Sequence, residues 1–245
     1  MKPNLTMQDL LDAGCHFGHT RGRWHPAMKP FVYLTRERIH IMDLEKTVQK
    51  LDDLTTAVEN FVAAGNTLVL VGTKRQAKKV VENMAVATKL PYVSERWLGG
   101  TLTNFETVKS SIKRLRRLEE ILASEDSKIS KKERTMKAAE LERMVTKFGG
   151  LKELTAVPQG LFIIDPSYEE NAVKEAKRLG LTVFALLDTS SNPGLVDEFV
   201  PANDDAAKSI ELIMGEVQSA IERGQKRAKE NVKVAEEAVE TKTKQ

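Results

Sequence analysis

Ser94-Glu95-Arg96-Trp97-Leu98-Gly99-Gly100-Thr101-Leu102-Thr103-Asn104-Phe105 marks the point at which the chain changes architecture. Upstream, short apolar runs alternate with helical patterns; downstream lie roughly fifty residues of charged helical pattern. The paired glycines permit backbone conformations closed to other residues. Thr101 or Thr103 can cap the following helix by accepting from its free N–H groups. Arg96 and Trp97 stand just ahead of the turn. A guanidinium beside an indole can contact a phosphate and stack on a base, while an indole is equally at home in a core.

On the upstream side, Thr67-Leu68-Val69-Leu70-Val71 is a continuous apolar run of strand length, the pattern of a parallel strand buried on both faces. Gly72-Thr73-Lys74-Arg75-Gln76 follows, then a helix through about Thr88, and Tyr92-Val93 reads as a short strand. Strand, glycine turn and helix N-terminus form an anion site, to which Lys74 and Arg75 add charge. Neither dinucleotide nor P-loop glycine spacing is present, so a backbone phosphate fits better than a nucleotide cofactor.

Downstream, Phe105, Val108, Ile112, Leu115, Leu118 and Leu122 keep three-and-four spacing, and Ala138, Leu141, Val145 and Phe148 resume it after a break at Ser124-Glu125-Asp126-Ser127. Two narrow seams joined by a polar turn predict an antiparallel coiled-coil hairpin over 105–149. Lys109, Lys113, Arg114, Arg116 and Arg117 crowd its first arm, and Lys128, Lys131, Lys132, Arg134 and Lys137 its tip and return. Acidic neighbours offset them singly; as a group they fit phosphate binding.

After Gly149-Gly150 the strand–helix pattern returns. Gly160–Asp165 and Thr182–Asp188 read as buried strands around a helix from about Tyr168 to Leu179, which makes a right-handed parallel crossover. The expected fold is α/β: a parallel sheet flanked by helices, flavodoxin-like or Rossmann-like, with the hairpin inserted. The body is 1–104 with 150–224, and 225–245 is a flexible charged tail. Asp188 and Asp204, with Asp165 and Asp205, fall at strand ends and a helix start. They suit helix and turn capping, a hydrated Mg²⁺ or acid–base work.

The N-terminal part carries Thr6 as the cap of a short helix ending at Gly14, then an irregular loop over Cys15–Pro26. Within that loop Arg21, Arg23 and His25 can bond phosphates, and Trp24 can stack or pin the loop to the core. Cys15, His16 and His19 lack the fourth ligand a structural zinc site wants. Phe31–Leu34 and Arg38–Met42 are strand-like around a turn at Arg36-Glu37, and Asp43–Ala64 is a core-facing helix ending at Gly65. A final helix is expected over Ala206–Ile221.

The net charge of +3, from 38 Lys and Arg against 35 Asp and Glu, argues for nucleic acid only if the charge is clustered. One cysteine gives no disulfide framework, and no apolar run reaches membrane-spanning length, so a reducing, cytoplasmic setting is expected.

Four stretches in register, GCHFGHTRGRWHPAMKPFVY (Gly14 to Tyr33), LVLVGTKRQA (Leu68 to Ala77), RWLGGTLTNF (Arg96 to Phe105) and VPANDDAAKSIELI (Val200 to Ile213), resemble the bacterial small-subunit ribosomal protein two family. The resemblance spans about residues 5 to 225. It implies a structural, non-catalytic protein of the small (30S) ribosomal subunit acting in translation, ribosome-associated and cytoplasmic. The partners it implies are 16S ribosomal RNA and neighbouring proteins including small-subunit ribosomal protein one, with no homo-oligomer. Arg21, Arg23, Trp24, His25, Lys74, Arg75, Arg96, Trp97, Thr101, Asn104, Lys109, Lys113 and Arg116 are the RNA-binding candidates, and Asp188 with Asp204 the metal candidates. The family usually has Asn after Asp-Thr, where Ser190 stands here. The alternative from another class is an α/β enzyme acting on a phosphorylated small molecule near Asp188.

Overall fold

Thr6 accepts the Asp9 N–H on its hydroxyl and Asp9 returns a bond to the Thr6 N–H, a reciprocal cap that starts α1 (Met7–Asp12). The computed structural model describes residues 5–124 and 130–243. After α1 come β1 (Phe17–Thr20), β2 (Val32–Arg36), β3 (Ile39–Met42), α2 (Leu44–Ala63), β4 (Leu68–Val71), α3 (Lys78–Thr88) and β5 (Tyr92–Val93). Then follow α4 (Phe105–Ala123), α5 (Lys131–Phe148), β6 (Gly160–Ile164), α6 (Glu170–Arg178), β7 (Thr182–Leu187), β8 (Glu198–Pro201) and α7 (Ala207–Thr243).

Five strands pair in parallel in the order β5-β4-β6-β7-β8. The first of the five lies between the second and the third, which is the flavodoxin-like order with its switch point between β4 and β6. Side chains alternate across the sheet as the strand period demands. Leu68, Leu70, Phe162, Ile164, Phe184 and Leu186 face a core built with α2, α3 and α7, including Leu51, Val81 and Val217. Val69, Val71, Leu161, Ile163 and Val183 face a second core closed by Trp97, Leu102, Phe105, Val108 and Ile112, with Val173 and Ala176 of α6. The first turns of α4 are therefore part of the body.

The three N-terminal strands form a separate antiparallel sheet in the order β1-β3-β2. The loop expected over Cys15–Pro26 thus contains a strand. Its pairing, Phe17 with Ile41 and Thr20 with Ile39, is made with residues some way along the chain, which local propensity does not display. The β2–β3 turn falls at Glu37 and Arg38, one residue later than expected, both at positive φ (50° and 67°), the backbone sign a tight hairpin requires.

Two further boundaries depart from expectation. β8 was hidden by Glu198 and Pro201, residues poor in strand propensity that an edge position tolerates. The last helix, expected to stop at Ile221, continues to Thr243 because Gly224 is a contact point and not a terminator. A Cβ there would lie 2.7 Å from the Glu59 carbonyl oxygen of α2. Arg223 and Arg227 then clamp Glu59, each at 2.8 Å.

α4 and α5 lie against each other, with Arg114 2.5 Å from Glu140 and Arg134 donating to the Leu122 carbonyl at 2.7 Å. The apolar seam is one-sided: Leu115 and Leu118 are buried, but no side chain of α5 is. Of the break expected at Ser124–Ser127, Ser124 caps α4, while Glu125, Asp126, Ser127 and Lys128 lie outside the described residues.

Candidate nucleic-acid interface

Ligands of open α/β sheets settle at the switch point, outside the carboxyl ends of the strands. Here that crevice is filled by the chain itself. Lys74, just after β4, places its Nζ 3.0 Å from Asp165 at the end of β6 and 2.6 Å from both Asp204 and Asp205. Thr73, in the same glycine turn, donates its N–H to Glu169 at 2.8 Å. The anion-binding turn expected from Gly72–Gln76 is therefore already supplied with internal carboxylates. Lys74, expected as an RNA contact, is turned inward with its side chain 13% exposed, whereas Arg75 is exposed.

Burial alone would lower the Lys74 pKa, but its carboxylate partners outweigh it and hold the ammonium charged. At buried Asp204 burial and the nearby Asp165 and Asp188 carboxylates push the pKa up, while Lys74 favours the ionised form. Asp165, at φ 60°, also accepts from Ser167 and Tyr168, so it does cap the turn before α6.

Asp188 points elsewhere. It lies 2.8 Å from His19 Nδ1, and that hydrogen bond pushes the imidazole up to about 8 against the effect of burial. His19, Asp204 and Asp205 bring ligand atoms within 4.8 Å of one another. This trio differs both from the expected Asp188–Asp204 pair and from Cys15, His16 and His19; Cys15 is a buried free thiol.

The loop from Arg96 to Asn104 is organised by a residue that sequence reading missed, Glu175 of α6. Its carboxylate accepts from Trp97 Nε1 at 3.1 Å, Gly100 N at 2.8 Å, Leu102 N at 2.9 Å and Thr103 N at 3.1 Å, with Thr103 Oγ1 at 3.2 Å. Burial would raise its pKa, but these donors together hold it below the ordinary carboxylate range. Gly100, at φ +86°, supplies the turn that brings the donors together.

Trp97 is 6% exposed, so its indole face is in the core and not on offer to a base. Thr101 is also buried and donates to the Leu98 carbonyl, so neither it nor Thr103 caps α4; Asn104 holds that position. Arg96 and Asn104 remain exposed on the loop's outer side. A signal for Glu175 existed: it falls among Ala172, Val173 and Ala176, on the buried stripe of its helix.

The N-terminal candidates are fastened to the end of β7. Thr189 accepts the His19 N–H on its hydroxyl at 2.9 Å and the His25 N–H on its carbonyl at 2.7 Å. Gly18 fits there because any Cβ would come within 2.8 Å of Thr189. Arg21 and Arg23 are exposed; Trp24 is half-buried, its ring 4.9 Å from that of His40. His25 Nδ1 accepts the Ala27 N–H at 3.2 Å and so caps the turn beginning at Pro26. On α4, Lys113 is exposed, Lys109 half-buried, and Arg116 donates to the Lys152 carbonyl at 2.6 Å.

The site is thus a flavodoxin-like sheet with its crevice closed by internal ion pairs and with arginines left on its outer loops. The ribosomal protein S2 family model matches residues 10–224. The chain belongs to that family, whose members are ribosomal structural proteins and not enzymes. It is similar to the small ribosomal subunit protein uS2 of Chloroherpeton thalassium, 47% identical over 219 residues, covering 89% of this chain and 87% of that one. It is likewise similar to the uS2 of Cytophaga hutchinsonii, 41% identical over 241 residues, covering 97% and 95%. Among the described residues no helix is long and apolar enough to cross a membrane.

Proposed function

We propose that the chain is a structural component of the small ribosomal subunit, ribosome-associated in the cytoplasm, and that it holds 16S ribosomal RNA by electrostatic contact without transforming it. The observation that carries this reading is the family match over residues 10–224. Exposed Arg21, Arg23, Arg75, Arg96 and Lys113 support it, since each can neutralise a phosphate. Trp97, Thr101 and Lys74 are removed from the contact set and become the scaffold that positions the others.

In this reading the body (1–104 with 150–224, together with the first turns of α4) carries the RNA face, the rest of 105–149 is an arm for RNA or protein contacts, and 225–245 is a charged tail. Neighbouring ribosomal proteins, small-subunit ribosomal protein one among them, dock on the body. At the corner of Asp188 and Asp204, Lys74 and the Asp188-paired His19 set positive charge among the carboxylates of Asp165, Asp188, Asp204 and Asp205.

The test is equilibrium binding of the full chain to 16S RNA across a salt series, with cosedimentation on small subunits. The expected result is a steep loss of affinity with salt and weaker association after Arg96→Ala. Salt-independent binding, or none, would sink the proposal.

A further inference from the structure

Residues 20–38 hold five basic side chains, Arg21, Arg23, Lys29, Arg36 and Arg38 among them, against the single acid Glu37. That is a net +4 for the segment against +3 for the whole chain, so the rest of the chain carries a net −1. Residues 107–118 are as basic, with Lys109, Lys113, Arg114, Arg116 and Arg117 and no acid, but there Arg114 and Arg116 are paired with Glu140 and Glu153.

The fold gathers the charge of 20–38 further. Thr20 and Arg36 both pair with Ile39 from opposite sides, which puts their backbones two strand spacings apart, about 10 Å. Arg21 donates its backbone N–H to the Arg38 carbonyl at 2.8 Å, tying the loop after β1 to the tip of the β2–β3 hairpin. The hairpin itself is tight, with Glu37 and Arg38 in the left-handed region. Arg21, Arg23, Arg36 and Arg38 are all exposed, and among the described residues none makes an ion pair. Their field is felt inside: burial first, and then Arg21, hold the His40 imidazole below its ordinary value.

Several other basic groups of the chain are used differently. Lys74, Lys78, Arg114, Arg223 and Arg227 are engaged by carboxylates. Four unneutralised guanidinium groups on a rigid hairpin and its adjoining loop repel one another, and only counterions or a polyanion relieve that repulsion. Guanidinium forks match phosphate oxygens two at a time.

We infer that the hairpin end of the small sheet, with Arg21, Arg23, Arg36 and Arg38 acting together, is a phosphate-backbone clamp for RNA. This rests on the RNA-binding reading above and adds Arg36 and Arg38, which no motif singled out. The clamp positions the protein on folded RNA through its backbone and reads no base sequence.

The experiment compares three full-length chains for binding to 16S RNA between about 50 and 200 mM salt. One is the parent. The second is Arg21→Gln, Arg23→Gln, Arg36→Gln and Arg38→Asn, asparagine being chosen because it tolerates positive φ. The third removes the same charge from exposed helical positions by Lys79→Gln, Lys208→Gln, Lys226→Gln and Lys229→Gln. Matching circular dichroism and melting curves establish that all three fold.

The expected result is at least a tenfold loss of affinity for the arginine variant, with the salt slope reduced by about three, and a small change for the lysine variant. Equal losses in both variants would mean diffuse charge and overturn the clamp. An unchanged arginine variant beside a parent that binds would overturn it while leaving the RNA reading intact. Unchanged RNA affinity with lost association to whole subunits would make the patch a protein contact, which also overturns it. A parent that binds no RNA would remove both the clamp and the reading beneath it.

Discussion

Trp97 donates its indole N–H to Glu175 at 3.1 Å, and the same carboxylate takes three backbone N–H groups of the loop that follows. A conspicuous aromatic beside an arginine is thus an anchor, and what reaches the surface is the arginine. Glu175→Ala would leave those N–H groups buried without acceptors, at about 1–3 kcal/mol for each one that finds no water. Since solvent reaches part of the loop, a total loss of about 3–5 kcal/mol is expected in urea unfolding, with Glu175→Gln recovering part of it. A loss under about 1 kcal/mol would show that the loop holds its shape without the carboxylate.

The sign of the pH effect follows from the same bonds. The folded-state pKa of Glu175 lies below its ordinary value of 4.5, so its stabilisation is present above about pH 4.5 and is lost as pH falls through the folded value. Stability measured from pH 7 to pH 3 should fall faster in the parent than in Glu175→Gln, and the two curves should converge at the acid end. Parallel curves would assign the acid sensitivity to other groups.

Among the described residues Lys74 is the only cation touching Asp165 and Asp204, both buried. Lys74→Met keeps the side-chain length and removes the charge, leaving carboxylates facing each other at the switch point. The expected cost is about 2–4 kcal/mol, read as a lower melting temperature. RNA affinity of the folded variant should be unchanged, because the side chain points inward. A variant as stable as the parent but weak in RNA binding would return Lys74 to the contact surface.

Much of the body was legible in the sequence because buried parallel strands announce themselves locally. Leu68–Val71, Gly160–Ile164 and Thr182–Leu187 are apolar throughout, and each emerged as a strand. β1 and β8 were not legible, since Phe17–Thr20 and Glu198–Pro201 lack a continuous apolar run and owe their conformation to the strands they pair with. The site was read less well, for a related reason. Residue type marks what a side chain is able to do, whereas Lys74 and Trp97 are disposed of by Asp204 and Glu175, which stand 130 and 78 positions away. Arg36 and Arg38 were passed over because a hairpin turn is read for its backbone, and their charge gained meaning only when β1 brought Arg21 alongside.

Two glycines of α7 test whether packing or propensity governs its outer half. In a helix interior, glycine to alanine is worth about 0.5–1 kcal/mol through propensity alone. Gly215 has open space around its absent Cβ, so Gly215→Ala should stabilise by about that amount. At Gly224 the added carbon would lie 2.7 Å from the Glu59 carbonyl oxygen and 2.9 Å from Val62 Cβ. Forcing α7 off α2 costs about 1–3 kcal/mol, which exceeds the propensity gain. Gly224→Ala should therefore destabilise, and it should also loosen the bonds from Arg223 and Arg227 to Glu59. Urea midpoints of the two variants are expected on opposite sides of the parent. Midpoints that both rise would mean that α7 does not pack closely on α2 at Gly224 in solution, and the helix would then be held beyond Ile221 by its own propensity alone.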